Sequence, residues 1–560
     1  MINQNTIVAR GVVFYVGPVP IFYVPKWTRN IKGDKTDIDF VPGYGTRVGA
    51  YLLTAFNYQM DCGVTASTHL DYRAKRGVGV GQDFSWGDSE LPYRGALKTY
   101  YANDKSPMEK RSEREQENLD GLVDSDRYRI RLSDVHNLST RDYAMTELNY
   151  LSDPAVIEDF FDDEYRHNAQ PENRVSLVHR ADKFSAGLTF NKRLNDFYDN
   201  VDRLPEVTLN VPRMQLGESP FYYESLNAAS FLKKEFAEKS GEDSYDAFRF
   251  DSGHKVFYPT KHFGFLNVIP RVGYRGTYYS KTFEQNTVTN LTTVTDTNGL
   301  VSTTNEVVTM TDDTGSDLRN LYELGFETSF KAFGLLNNDW ISRDDQGLRH
   351  VIQPYTDYTY VPEPNLLPDQ LPQFDGVDTL GKRNDLLLGV RNKLQTKRKG
   401  VVHDLVDMNL WSTYFLEPEG DANDFSDIFF KTKLRLVDWL PIDFKGAYDE
   451  YENNLDNFDT QVAVIWPDKT RLAVDYRYAF DSYDQVAAEL TLFPNWAWSM
   501  SAYGRYSLES SVIEEHAYFV EHKGRCVGWG VGCRQIDADL QFWFRVWLTA
   551  FPKSNVALGR

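Results

Sequence analysis

Residues 471–480 read RLAVDYRYAF. Leu472, Val474, Tyr476, Tyr478 and Phe480 share one parity; Ala473, Asp475, Arg477 and Ala479 share the other. A β-strand sends successive side chains to opposite faces, so this stretch reads as a strand with one greasy face and one wet face. The pattern recurs in residues 61–73, DCGVTASTHLDYR. There Val64, Ala66, Thr68, Leu70 and Tyr72 oppose Thr65, Ser67, His69, Asp71 and Arg73. Near the carboxyl end Leu540, Phe542, Phe544, Val546 and Leu548 oppose Gln541, Trp543, Arg545, Trp547 and Thr549. The polar faces carry full charges, and the apolar faces are long and aromatic, unlike the dry inner face of a soluble sandwich.

Such segments recur from about residue 37 to residue 551. So many antiparallel strands in an open sheet would leave exposed edges, and closure removes them. The expected fold is therefore all-β: a large closed antiparallel transmembrane β-barrel of roughly 24–26 strands. Aromatics beside turn residues, at Trp466-Pro467 and Phe493-Pro494-Asn495-Trp496, suit an interfacial girdle at strand ends.

Composition agrees. The 560 residues include 81 Asp and Glu against 61 Lys and Arg, a net charge of −20. Phosphate-backbone binding wants a basic face, so no nucleic acid partner is expected. Mean hydropathy is −0.50, and no run approaches the ~18 apolar residues of a membrane helix. That excludes a helical membrane protein but not a barrel, whose apolar residues alternate with polar ones. The acidic excess then belongs in a wet lumen and in loops.

Three stretches break the alternation. Residues 106–126, SPMEKRSEREQENLDGLVDSD, form a charge run without an apolar stripe and read as a solvated loop. Residues 157–170, IEDFFDDEYRHNAQ, read as a short helix or a lumen-facing loop. The Thr-rich insertion at 282–316 reads as a long extended hairpin or a mobile loop.

No catalytic or metal-binding constellation stands out. His69, His136, His167 and His179 are scattered, without HExxH or a nucleophile elbow. The glycines of Gly77-Val78-Gly79-Val80-Gly81 follow no βαβ pattern and point to a bend or a close approach. Carboxylate groups such as Asp162-Asp163-Glu164 leave a secreted β-rich glycosidase as an enzymatic alternative. Cys62, Cys526 and Cys533 make no disulfide framework; Cys526 and Cys533 would close only a small loop if paired. No enzyme activity and no cofactor are expected.

Several segments, in order, resemble the LptD family of outer-membrane lipopolysaccharide-assembly proteins. They are PVPIFYVPKW at 18–27, the 38–86 segment with DYRAKRGVGVGQDFSW, DRLPEVTLNVPRMQLGESPFYYES at 202–225, GLRHVIQPYTDYTYVPEP at 347–364 and DLLLGVRNKLQTKR at 385–398. The resemblance implies a periplasmic β-jelly-roll followed by a barrel in the bacterial outer membrane. Residues 1–30 would be the end of the jelly-roll and its linker, and residues 31–560 the barrel with extracellular loops. Residues 1–10, MINQNTIVAR, show no secretory signal; the expectation is that the amino-terminal part lies outside this sequence. The family ties its barrel to the periplasmic domain by disulfides, and Cys526 lies near the carboxyl-terminal position. The implied partners are lipopolysaccharide or a related glycolipid, an LptE-like lipoprotein plug, an LptA-like β-jelly-roll bridge and membrane lipid.

The same resemblance implies lateral release of lipid between the first and last strands. Proline lacks a ladder donor, and Pro42 matches a proline of the family's gate, whereas Leu53 and Thr54 stand where a further one is usual. The other reading of Pro42-Gly43 is a turn before the strand. With the first strand placed in residues 37–53, the candidate gate residues are Phe40, Pro42 and Tyr51, with Phe542, Phe544 and Val546 opposite. By parity, Asp71, Arg73, Asp475 and Arg477 are expected to face the lumen. The alternative transport reading is a porin or receptor-type channel.

Overall fold

The computed structural model describes residues 2–548 apart from 4–5, 17–18, 31–36, 61–62, 88–89, 110, 296–300, 337–346, 419, 421–422, 526 and 537–538. In residues 2–39, 163, 284–295, 301–312, 527 and 547–548 it describes the backbone alone. Among the described residues, 26 antiparallel strands close into a barrel, counting two short segments as continuations of their predecessors. The first barrel strand is Asp37–Gly45 and the last is Asp539–Leu548; each strand pairs with its sequence neighbours, and the last pairs with the first. Ile2–Asn3, Thr6–Val16 and Val19–Asn30 form a separate three-stranded sheet.

The chain divides into two compact units: Met1–Val175 with Gln461–Arg477 and Tyr483–Arg560, and Ser176–Thr460 with Tyr478–Ser482. In the first unit, Leu70, Val80 and Tyr101 stand in register on consecutive strands, all exposed. Asp71 and Arg73, on the opposite parity, are buried. In the second, Phe231 and Phe250 are exposed, whereas Arg249 and Arg319 are buried. Exposed apolar bands over buried charges invert the arrangement of a water-soluble domain and suit a lipid-facing wall.

Local structure departs from the sequence reading at two places, residues 37–53 and 106–126, and resolves the alternatives at two more. Residues 37–53 are two strands, not one. The chain turns at 46–48 and returns as Gly49–Gln59, with Gly49 at φ +74°, where a side chain is disfavoured. Tyr51 therefore lies on the second strand. Residues 106–126 contain a helix, α1 (Glu113–Leu119), because Ser112 and Glu115 form a reciprocal capping box. Residues 157–170 hold two short helices, α2 (Val156–Phe160) and α3 (Asp162–His167). The 282–316 insertion extends the paired strands Leu266–Thr295 and Val301–Ser329 as a long hairpin.

Candidate functional site

The seam between first and last strands is bonded along a short length. Gly43, Tyr44 and Gly45 pair with Trp543, Phe542 and Gln541, and among the described residues the ladder stops there. The next residue is Pro42, which has no N–H to donate. On its other edge the same strand pairs along its whole length, with Pro42 opposite Leu52. Pro42 therefore sits inside a strand and not in a turn before it. Gly43 permits a close approach: a Cβ there would lie 2.3 Å from the Tyr51 ring and 2.4 Å from the Phe542 carbonyl. The Tyr51 hydroxyl points to that carbonyl at 3.4 Å.

Beyond Gly45 the seam is held by side chains and one further backbone bond. The Thr46 hydroxyl donates to Asp539 Oδ1 at 2.7 Å, and the Arg47 amide donates to the same oxygen at 3.1 Å. The Thr46 amide donates to the Leu540 carbonyl at 3.0 Å. Toward the other end, Phe542 and Val546 are exposed, and the Phe544 ring lies 6.5 Å from that of Trp529. Phe40 is half-buried.

Behind the seam, on the charged parity, lies a chain of buried polar groups. Arg73 Nη1 donates to the Tyr100 hydroxyl at 2.8 Å, which donates to Asp71 Oδ2 at 2.9 Å. Gly79 makes room for it: a Cβ there would lie 2.0 Å from the Tyr100 oxygen. The glycine run thus serves a side chain crossing the strand, the close approach its spacing signals. Tyr100 packs against Phe160 and Phe161, at 5.7 and 5.1 Å between ring centres, which draws the loop carrying α2 and α3 onto this face.

That loop centres on Asp159. Its carboxylate meets Arg47 at 2.9 Å, Arg76 at 3.3 Å, Arg111 at 2.9 Å and Arg127 at 2.5 Å. Arg127 is fully buried and also binds Asp153, at 2.6 Å, and Asp104, at 3.1 Å. Burial pushes the Asp159 carboxyl up, but the surrounding guanidiniums outweigh it and hold the group well below the usual carboxylate range. Glu164 is likewise brought down to about 2, burial being outweighed by Arg129 and Lys98. Asp162 behaves oppositely: burial outweighs Arg166, and its pKa is raised. Asp162 and Glu164 are thus tied by ion pairs to Arg534 and Arg129, and the Asp163 side chain lies outside the description.

Asp475 accepts a bond from Gln461 at 2.7 Å, and Arg477 is exposed; neither joins the Asp159 cluster. Cys533 is a free thiol, and Cys62 and Cys526 lie outside the described residues. The sequence reading did not single out Tyr100, Asp159, Arg127 or Arg111. The signal available was an arginine in each of three successive turns and loops at one end of the wall, at 47, 76 and 111, with an acid-rich loop downstream to meet them. A second such loop occurs in the other unit. Arg249 binds Asp378 at 2.7 Å and Asp375 at 2.8 Å, Tyr279 donates to Asp378 at 2.8 Å, and Arg319 donates to the Val377 carbonyl at 2.8 Å.

Among solved structures the chain is similar to the siderophore receptor PiuA from Acinetobacter baumannii, at 10% identity and a TM-score of 0.27, covering 92% of this chain and 82% of that one. It is similar to the ferric citrate transporter FecA at 9% identity and a TM-score of 0.29, covering 96% and 83%. It is also similar to the translocation pore of the P pilus usher PapC at 6% identity and a TM-score of 0.24, covering 91% and 98%. Likenesses this weak decide nothing about function. No curated protein matches. The family described as LPS transport system D, LptD, matches residues 125–492, more than half of the chain. With a closed 26-strand barrel and a match of that length, the chain belongs to the LptD family and is a lipopolysaccharide-transport barrel of the bacterial outer membrane.

Proposed function

We propose that this barrel inserts lipopolysaccharide into the outer leaflet, with the acyl tails leaving sideways between the strands Asp37–Gly45 and Asp539–Leu548. The observation that carries the reading is the seam whose ladder ends at Gly43, one residue short of Pro42. An amphiphile with a large polar head needs a wet interior for its sugars and an apolar exit for its tails. A closed wall blocks the tails unless one seam yields. Every other seam joins strands consecutive in sequence, whereas this one joins the two ends of the barrel. Asp71, Arg73, Asp475 and Arg477 line the wet side in this reading. The longer loops, 105–125 and 152–173, leave from one end of the first unit, which is the outer end if short turns face the periplasm.

An LptE-like lipoprotein would occupy the lumen. An LptA-like β-jelly-roll bridge would deliver cargo to a periplasmic domain of which residues 1–30 are the end. A photo-reactive residue replacing Phe40 or Phe544 tests the route in cells. Cross-links to lipopolysaccharide are expected at those seam positions and not at Val80, on the lipid-facing wall away from the seam. Equal labelling at all three positions, or at Val80 alone, contradicts lateral release there.

A further inference from the structure

We propose that a cavity at the loop end of the seam binds a phosphate-bearing anionic group of the cargo, and that this binding frees the 152–173 loop from the seam. The inference rests on the lateral-release reading and adds a trigger to it.

The loop clasps the barrel on both sides of the seam. On the first-strand side, Arg47 holds Asp159 at 2.9 Å and Glu158 at 3.6 Å. On the last-strand side, Arg534 of the penultimate strand holds Asp162 at 2.8 Å, and Arg166 reaches Glu515 at 3.4 Å. The two flanks of the sparsely paired seam are thus tied through a third element.

Between these contacts lies a cavity of about 880 Å³, lined by seven arginines and five carboxylates. Arg47, Arg111, Arg166, Arg505 and Arg534 lie on its wall, as does Arg76. The positive excess is local, since the chain as a whole carries −20. Two guanidinium N–H groups, Arg47 Nε and Arg76 Nε, are buried without a hydrogen-bond acceptor, and Arg76 is only 2% exposed. A buried unpaired donor costs free energy that an incoming acceptor recovers.

The ion pairs differ in how readily they exchange. Arg127–Asp153 is sealed, at 0% and 1% exposure, and anchors the base of the loop. Arg47–Glu158 and Arg166–Glu515 are partly open, at 21% and 26%, and at 41% and 4%. Open pairs are weak and exchange with solvent ions. A phosphate carries up to two charges and three acceptor oxygens, and it meets guanidinium forks bidentately. It therefore displaces Glu158 and Asp162 from Arg47, Arg111 and Arg534, while the Arg127 anchor keeps the loop attached.

The test places spin labels at Asn168, on the loop, and Glu509, on a turn of the same unit, in the full chain reconstituted in lipid. Inorganic pyrophosphate, a phosphorylated glycolipid headgroup and its dephosphorylated counterpart are each titrated. The two phosphorylated probes are expected to lengthen the distance and the dephosphorylated one is not. Displacement by pyrophosphate but not by the headgroup would mark a free-phosphate site and overturn the trigger. Removing one charge-assisted contact, by Arg534→Gln or, at a more exposed position, Arg47→Gln, should raise the half-effective concentration about ten-fold. Heat-modifiable gel migration checks that both variants remain folded. An unchanged distance at saturating phosphorylated probe overturns the proposal. Locking the seam covalently separates the two ideas: export that continues through a locked seam removes lateral release, and loop displacement persisting in the locked protein leaves the anion site standing.

Discussion

The first barrel strand has two unlike edges. Toward Gly49–Gln59 it is in register from Asp37 to Gly45; toward Asp539–Leu548 it is in register only from Gly43 to Gly45. Backbone, sequence and solvent are the same for both edges, so the difference comes from connectivity and side chains. A three-residue turn tethers one neighbour, whereas the other arrives from the far end of the chain with no tether. The tethered edge also tolerates Pro42 opposite Leu52, while the untethered ladder ends beside it. A strand residue offers its N–H to one edge only, and Thr46, of the same parity as Pro42, gives its amide to Leu540 across the seam, so the donor that Pro42 lacks is missing from the seam alone.

The two in-folded loops repeat this contrast. The 362–382 loop grips Arg203, Arg249, Tyr279 and Arg319, all on strands that follow one another in sequence. The 152–173 loop grips residues near both ends of the barrel. One reinforces a wall that is already continuous, and the other bridges the two flanks of the seam at its bonded end.

The largest effect is expected at the buried anchor of the second kind of loop. Arg127→Met strands Asp104, Asp153 and Asp159 without their shared cation, which should cost about 3–5 kcal/mol, read by unfolding in lipid. A loss below 1 kcal/mol would mean the loop is not held by these pairs. Next is the wall itself. Leu70→Arg should cost about 2–4 kcal/mol if Leu70 faces the bilayer midplane. Arg477→Gln, on the charged parity, should stay within about 0.5 kcal/mol, and equal costs would refute the face assignment.

Smaller effects sharpen the comparison of edges. Pro42→Ala restores a donor and should extend the seam ladder, slowing hydrogen exchange at the amides of Phe40 and Tyr44, which share its parity. One added hydrogen bond is worth about 0.5–1.5 kcal/mol, roughly a two- to ten-fold slowing. Exchange on the Gly49–Gln59 edge should not change. The smallest expected effect is that of pH. Asp159 has a depressed pKa, so its contribution is complete above the unfolded carboxylate value near ~3.9 and is lost only as pH falls through its lower folded value. Arg111, which pairs with it from the neighbouring loop, has its pKa raised, burial being outweighed by Asp159 and Glu158, so this pair keeps its charges between pH 5 and 8. Loop-to-wall distances should therefore be flat over that interval, and a transition near neutrality would point to a histidine.

The barrel was legible because alternation is a property of each strand by itself: RLAVDYRYAF needs no partner to reveal its faces. Pro42 was visible as a missing donor, but its place inside a strand was not, since Pro-Gly also reads as a turn. Residues 37–53 were read as one strand because the turn at 46–48 has weak local signals apart from Gly49. The Asp159 cluster was opaque for a different reason. Its members lie at 47, 76, 111, 127 and 159, at the ends of successive strands or in the loops between them, and only the pairing of those strands brings them together. Tyr100 was hidden likewise, although the Gly77–Gly81 run marked the space it fills.

The most direct test of lateral release is a disulfide between Tyr44→Cys and Phe542→Cys, which stand opposite each other across the seam. A matched pair at Val80→Cys and Tyr101→Cys, opposite each other on an ordinary seam, serves as control. With both barrels folded and fully cross-linked in cells, surface delivery of lipopolysaccharide should stop in the first and continue in the second, and reduction should restore the first. Undiminished delivery through the locked seam would contradict lateral exit between the first and last strands.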